Sequence, residues 1–278
     1  MQVIPTTLFF AFLTVICASA ATNSGSGVPL TGADDWRLVF SDEFNDTLLN
    51  TKNWTTCYWW DDAGCTNAGN HELEWYLAKN VKTIAGNLNL TAQKETVLGT
   101  KGKTFNYTSG MVTSGLDYSE LPRSPRFSFQ YGQVEVRAKL PSGKGLWPAI
   151  WLLPKPPKSR PEIDIMEVLG DSKNFLRVHL HYTGPSGNAA EEGKNIQVGD
   201  LSKAWHVYGV RWEPDAIKWY LDGVEVWHYN KAENIPNEPL YLLMNLAVGG
   251  DFPGEPDKQT QFPAEFLVDY VRVWQHNK

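Results

Sequence analysis

Ile217-Lys218-Trp219-Tyr220-Leu221, then Asp222-Gly223, then Val224-Glu225-Val226-Trp227-His228-Tyr229 reads as two short strands joined at a corner. β-Branched and aromatic residues fill both arms, and the Asp-Gly pair supplies the positive φ that a two-residue hairpin turn requires. The same signature spreads outward from this hairpin. Gln133-Val134-Glu135-Val136-Arg137-Ala138-Lys139-Leu140 and Phe175-Leu176-Arg177-Val178-His179-Leu180-His181-Tyr182 alternate apolar with polar residues, as half-buried strands do. Further short strands are read at 205–212, 240–248 and 266–274. No 15-residue window holds a 3.6-residue period, and 23 Gly and 17 Pro punctuate the whole length. The fold class that follows is all-β: an antiparallel β-sandwich or jelly roll.

The chain has 278 residues, with Lys+Arg 25 against Asp+Glu 31 and a net charge of −6. Binding to nucleic acid needs a clustered cationic surplus, so that partner is not expected. Twelve Trp, eleven Tyr and twelve Phe form a heavy aromatic load, which fits a β-protein presenting flat apolar platforms to ring-shaped ligands. Residues 1–20 carry no charge, and the apolar run Leu8 to Cys17 ends in Ala18-Ser19-Ala20. That is the pattern of a secretory signal cleaved after Ala20, and the run is too short to span a bilayer. Residues 21–34, small and polar, read as a flexible lead-in, and 35–278 as one domain, since no internal linker or repeat divides them. A secreted, monomeric protein without membrane attachment is the expectation. Beyond the leader only Cys57 and Cys65 remain, and in an exported chain a local disulfide is the natural reading, with two free thiols as the other. Sequons at Asn45, Asn53, Asn89 and Asn106 permit glycosylation.

Glu162-Ile163-Asp164-Ile165-Met166-Glu167-Val168-Leu169-Gly170 carries the chemistry. Glu162 and Asp164 share one face of a strand, while Ile163 and Ile165 anchor the other face in a core. A regular strand would then send Glu167 inward, where an unpaired acid is very costly. One extra residue near Met166, a β-bulge, would return it to the side of the other two. Three crowded carboxyls raise one another's pKa. Glycoside hydrolysis makes use of such crowding: a retaining enzyme needs two carboxyls about 5–5.5 Å apart, one ionised as nucleophile and one protonated as acid. A solvent-facing acidic edge or a cation site is the other reading of the acids alone.

The segment resembles the active-site strand of glycoside hydrolase family 16, in the bulged form of its laminarinase-like endo-β-1,3(4)-glucanases. The resemblance extends over Phe40-Ser41-Asp42-Glu43-Phe44, Asn70-His71-Glu72-Leu73-Glu74-Trp75-Tyr76, Tyr131-Gly132-Gln133-Val134-Glu135-Val136-Arg137, Gly145-Leu146-Trp147-Pro148-Ala149-Ile150-Trp151-Leu152-Leu153, Met244-Asn245-Leu246-Ala247-Val248-Gly249-Gly250 and Asp269-Tyr270-Val271-Arg272-Val273-Trp274. It implies a concanavalin A-like jelly roll whose concave sheet forms a glucan cleft. Glu162 would be the nucleophile, Glu167 the general acid/base, and Asp164 the partner that orients Glu162. Trp147 and Trp151 match sugar-facing tryptophans, with Trp151 open between cleft and core. Asn70, Glu72 and Asn245 match substrate-binding positions, Glu72 being equally readable as a surface charge. His181 resembles a histidine at the leaving-group side, or is a structural strand residue. Met111 stands where many members have an arginine, which puts a charged sugar contact there in doubt. No catalytic cofactor is implied. A structural Ca²⁺ on the convex face would use Glu43, Gly86 and Asp269.

The reading that follows is a secreted retaining endo-glycosidase acting on β-1,3 or mixed β-1,3/1,4 glucans such as laminarin. Non-bulged lichenases and xyloglucan-modifying relatives lack the extra residue that Met166 provides. A non-catalytic β-glucan recognition protein or lectin on the same fold is the alternative from another class, and the presence of both glutamates speaks against it.

Overall fold

The computed structural model describes residues 35–60, 65–120 and 123–277; the expected signal peptide and lead-in lie outside the described residues. Two antiparallel sheets face each other. One has eight strands, in the order Val224–Tyr229, Ile217–Leu221, His206–Trp212, Gly132–Lys139, Ala264–His276, Asn87–Ala92 and Val81–Ile84, with Trp36–Asp42 also paired to Ala264–His276. The other has six, in the order Ala189–Gln197, Phe175–Thr183, Glu162–Glu167, Leu146–Pro154, Leu240–Val248 and Met111–Thr113. The all-β sandwich expected from the sequence is the fold. The founding hairpin forms as read: Asp222 and Gly223 take φ of 52° and 81°, and Ile217 pairs with Tyr229.

Alternation puts one side of each strand in the core. Leu176, Val178 and Leu180 are buried among Ile150, Leu152, Met244 and the facing Val134, Val136 and Val271. Arg177, His179 and His181 therefore emerge on the outer face of the six-stranded sheet. In the Glu162–Glu167 strand, Ile163 and Ile165 are fully buried. Each contributes about 1.5–3 kcal/mol of burial, and a one-residue slip would forfeit both, so the core fixes the face on which Glu162 and Asp164 stand.

The bulge is present. Register against Phe175–Thr183 shifts between Asp164 and Glu167, and against Leu146–Pro154 it shifts between Ile150 and Trp151. Met166 is buried and Glu167 returns to the outer face, opposite Ala149 and Arg177. A tryptophan of the other sheet supports the irregularity: Trp219 Nε1 donates to the Asp164 carbonyl at 2.8 Å, inside the core.

Leu240–Val248 is buried along its whole length, because its outer face is also covered. Tyr241 and Leu243 pack there with Tyr58, Tyr76, Met111 and Leu153 in a second apolar cluster, flanked by Trp59, Trp60 and Trp151. This cluster, tied by the Cys57–Cys65 disulfide, makes one wall of a cleft over the acids.

Candidate active site

The cleft is a cavity of about 320 Å³ lined by Glu162, Asp164, Glu167, Trp147, Trp151, Asn70, Glu72 and Asn245, together with Tyr58, Trp60 and Asn67. All three predicted catalytic acids and all but one of the predicted sugar contacts thus meet in one space. The exception, His181, lies directly across the strand pair from Glu162 and contacts the acids from the side.

Each carboxyl has its own surroundings. Glu167 is held at both oxygens: Trp147 Nε1 donates to Oε1 at 3.1 Å, and His179 Nδ1 lies 2.8 Å from Oε2. Asp164 is 4% exposed and faces His181 Nε2 at 3.1 Å through Oδ2, while Glu162 Oε1 is 3.9 Å from the same nitrogen. His181 Nδ1 meets Glu191 at 3.2 Å. Burial, then the charge of Asp164, pushes the Glu162 carboxyl well above the usual carboxylate range, and His181 opposes the shift. Burial and the charge of Glu167 push Asp164 up as well. Burial and the neighbouring charge thus both oppose the presence of two full negative charges side by side on Glu162 and Asp164.

The aromatic and amide groups form a connected wall. Trp151 Nε1 donates to Asn245 Oδ1 at 2.8 Å, and Asn245 Nδ2 donates to the Tyr76 hydroxyl at 3.0 Å. Trp151 therefore lines the cleft while its ring packs on the second apolar cluster, its indole held by the wall. Asn70 Nδ2 donates to Glu72 Oε1 at 3.0 Å. Glu72 is no surface charge: it is 4% exposed, and Glu74 beside it is fully buried. Burial raises both, Glu74 the more strongly because the charge of Glu72 adds to it, and the two are hydrogen-bonded. Met111 is fully buried in the second cluster and is not part of the cleft lining.

The calcium set does not fit. The Glu43 carboxylate receives Nε and Nη2 of Arg272, both at 2.8 Å, and Asp269 receives Arg137 Nη1 at 2.6 Å. Guanidinium groups thus occupy the two acids that would have to neutralise the ion, and Gly86 offers only a neutral carbonyl.

Tyr58, Asn67 and Trp60 of the cleft lining escaped the sequence reading, and so did His179 and Phe252, which touch lining residues. His179 touches Glu167. Trp60, stacked on Tyr58 at 4.1 Å, lines the cleft. Phe252 is 43% exposed and meets Trp147 edge to face at 5.2 Å, extending the aromatic rim.

The family model for glycosyl hydrolases family 16 matches residues 69–272. The chain belongs to that family. The family 16 chain is 35% identical to glucan endo-1,3-beta-glucosidase A1 of Niallia circulans, over 85% of its own length and 37% of that relative. Two endo-1,3-1,4-beta-glycanases of Rhizobium meliloti are spanned over 51% of their length, so the chain covers about a third to a half of these curated relatives. Among solved structures it resembles the laminarinase catalytic domain of Thermotoga maritima, with a TM-score of 0.74, 34% identity, and coverage of 88% of this chain and 100% of that one. It also resembles the endo-beta-1,3-glucanase of Pyrococcus furiosus, with a TM-score of 0.72, 35% identity and coverage of 87% and 95%.

Proposed function

We propose that the chain is a secreted, monomeric, retaining endo-glycosidase that hydrolyses β-1,3 or mixed β-1,3/1,4 glucans such as laminarin. The observation that carries the reading is the bulged strand, which holds Glu162, Asp164 and Glu167 together on the floor of an aromatic-walled cleft. The names of the relatives supply the substrate class. Export is supported by the leader pattern ending at Ala20 and by a disulfide suited to an oxidising compartment. A net charge of −6 offers no footing for nucleic acid, and among the described residues no helix is long and apolar enough to cross a membrane.

The steps follow from the site. A sugar stacks its C–H face on Trp147 or Trp151 while Asn70, Glu72 and Asn245 meet its hydroxyls. Glu162 attacks the anomeric carbon as a carboxylate, with Asp164 hydrogen-bonded beside it. The glycosidic C–O bond breaks as the Glu167 proton passes to the departing oxygen, leaving a glycosyl ester on Glu162. Glu167, now a carboxylate, takes a proton from water as that water attacks the same carbon and expels Glu162. Every proton has a residue of the chain to hold it, so the route needs no cofactor.

Reducing-sugar release and product sizes from laminarin, lichenan, cellulose and agarose, with native protein and Glu162→Gln side by side, test the reading. Mixed-size products from laminarin that vanish in the variant are expected. Binding of laminarin without release from any substrate would overturn the enzyme reading in favour of a recognition protein. Activity on agarose alone would overturn the substrate class.

A further inference from the structure

His179 has no part in the steps just given, yet it makes a close side-chain contact to a catalytic acid. Its Nδ1 lies 2.8 Å from Glu167 Oε2, and the ring stands on a prepared seat. Gly193 pairs with His179 on the adjacent strand, and a Cβ there would meet His179 Cδ2 at 2.0 Å and Nε2 at 2.8 Å. The backbone of Gly193 is not in the left-handed region, so space for the imidazole, rather than torsion, is what calls for glycine. We propose that His179, seated over Gly193, is a positioning residue that keeps the carboxyl of Glu167 aimed through both halves of the reaction.

This role rests on the assignment of Glu167 as acid and then base, and on what each of its partners can do. The Trp147 indole only donates, so Oε1 is always an acceptor. Imidazole Nδ1 can accept or donate according to tautomer. With its hydrogen on Nδ1, His179 donates to Oε2 both before and after proton transfer, the labile proton being carried on Oε1, whose remaining lone pair still takes the Trp147 N–H. No proton moves on the imidazole, so the contact survives the change of protonation state that double displacement imposes on Glu167. The charged and titratable groups around the pair are Glu162 and Asp164 on the acid's own strand, Arg177 and His181 beside His179, and Glu191 on the strand of Gly193. Among these groups, His179 is the one in contact with Oε2.

The test compares native protein, His179→Leu, His179→Gln and Gly193→Ala on laminarin and on aryl glycosides of a short β-1,3 oligomer whose leaving groups span good to poor. General-acid assistance contributes about 10²–10⁴-fold. With laminarin and poor leaving groups, His179→Leu and Gly193→Ala should lose about tenfold or more in kcat/KM, and with the best leaving group little, because that bond needs no proton to break. His179→Gln, whose amide can donate or accept, should recover most of the loss. Folding is checked by melting temperature, and any variant that melts early is measured at a temperature where it is folded. Equal losses across all leaving groups would make His179 merely structural and overturn the proposal, as would native rates in His179→Leu. If native protein releases nothing from laminarin or the aryl substrates, the functional reading itself fails, an outcome recognisable because it precedes any variant.

Discussion

Replacing Trp219 by Phe should loosen the bulge from the far side of the core. Trp219 is fully buried, and its only indole hydrogen is given to the Asp164 carbonyl at 2.8 Å. Phenylalanine keeps most of the ring and deletes the donor. A buried carbonyl left without its partner costs about 1–3 kcal/mol. The smaller ring leaves a void of order 30–40 Å³, worth about 1 kcal/mol at the usual dependence on cavity volume. The loss in stability is then about 2–4 kcal/mol, which lowers the melting midpoint by roughly 5–15 °C in a domain of this size. Trp212→Phe is the matched control, since its buried Nε1 donates to the Pro236 carbonyl at 3.0 Å, away from the acids. Thermal and denaturant melts should show both variants destabilised to a similar degree. Kinetics on laminarin, measured where both are folded, should show kcat depressed in Trp219→Phe only, because only that carbonyl belongs to the strand segment that carries Asp164 and turns Glu167 outward. A melt within 2 °C of native, or equal kcat in the two variants, would refute the reasoning that this bond supports the bulge.

Other expectations follow from the same surroundings. Glu74 gains a raised pKa on folding from burial and the charge of Glu72, so the folded state binds the extra proton and stability should fall as pH rises from the ordinary carboxylate range through that raised value. Glu74→Gln, which keeps a donor for Glu72 and an acceptor for the Val248 N–H, should flatten that decline, and melts from pH 4 to 9 check it. Breaking the Cys57–Cys65 bridge, which closes a loop of 8 residues in sequence separation, should cost about 2–3 kcal/mol by loop-closure entropy and raise KM through Trp60; denaturant midpoints and laminarin kinetics of Cys57→Ser/Cys65→Ser measure both. Asn245→Ala releases Trp151 and Tyr76 together and should raise KM by about tenfold, the worth of one hydrogen bond of the usual net strength, with less change in kcat.

The sandwich and the acid floor were legible because both are local signals. Ile163 and Ile165 fix a face, and the cost of burying Glu167 demands an extra residue near Met166, where the register shift lies. His179 could have been found by the same alternation, since it shares a face with His181. What the sequence withholds is the register of one strand on the next, which sets His179 opposite Asp164 and, across the bulge, within reach of Glu167. Pairing of Ser41 with Arg272 likewise turns Glu43 from an imagined cation ligand into half of an ion pair. Glu72 stayed open between sugar contact and surface charge because its neighbours in the cleft, Tyr58 among them, lie on a loop that nothing local ties to it.

The most direct test of the central claim is the anomeric configuration of the first product. Proton NMR of laminarin hydrolysis in its opening minutes should show the new reducing ends as β-anomers that only later equilibrate, because two displacements at one carbon restore the starting configuration. Initial α-anomers would mean that Glu167 and Glu162 act across a single water-mediated displacement, and the account of Glu162 as nucleophile would be wrong.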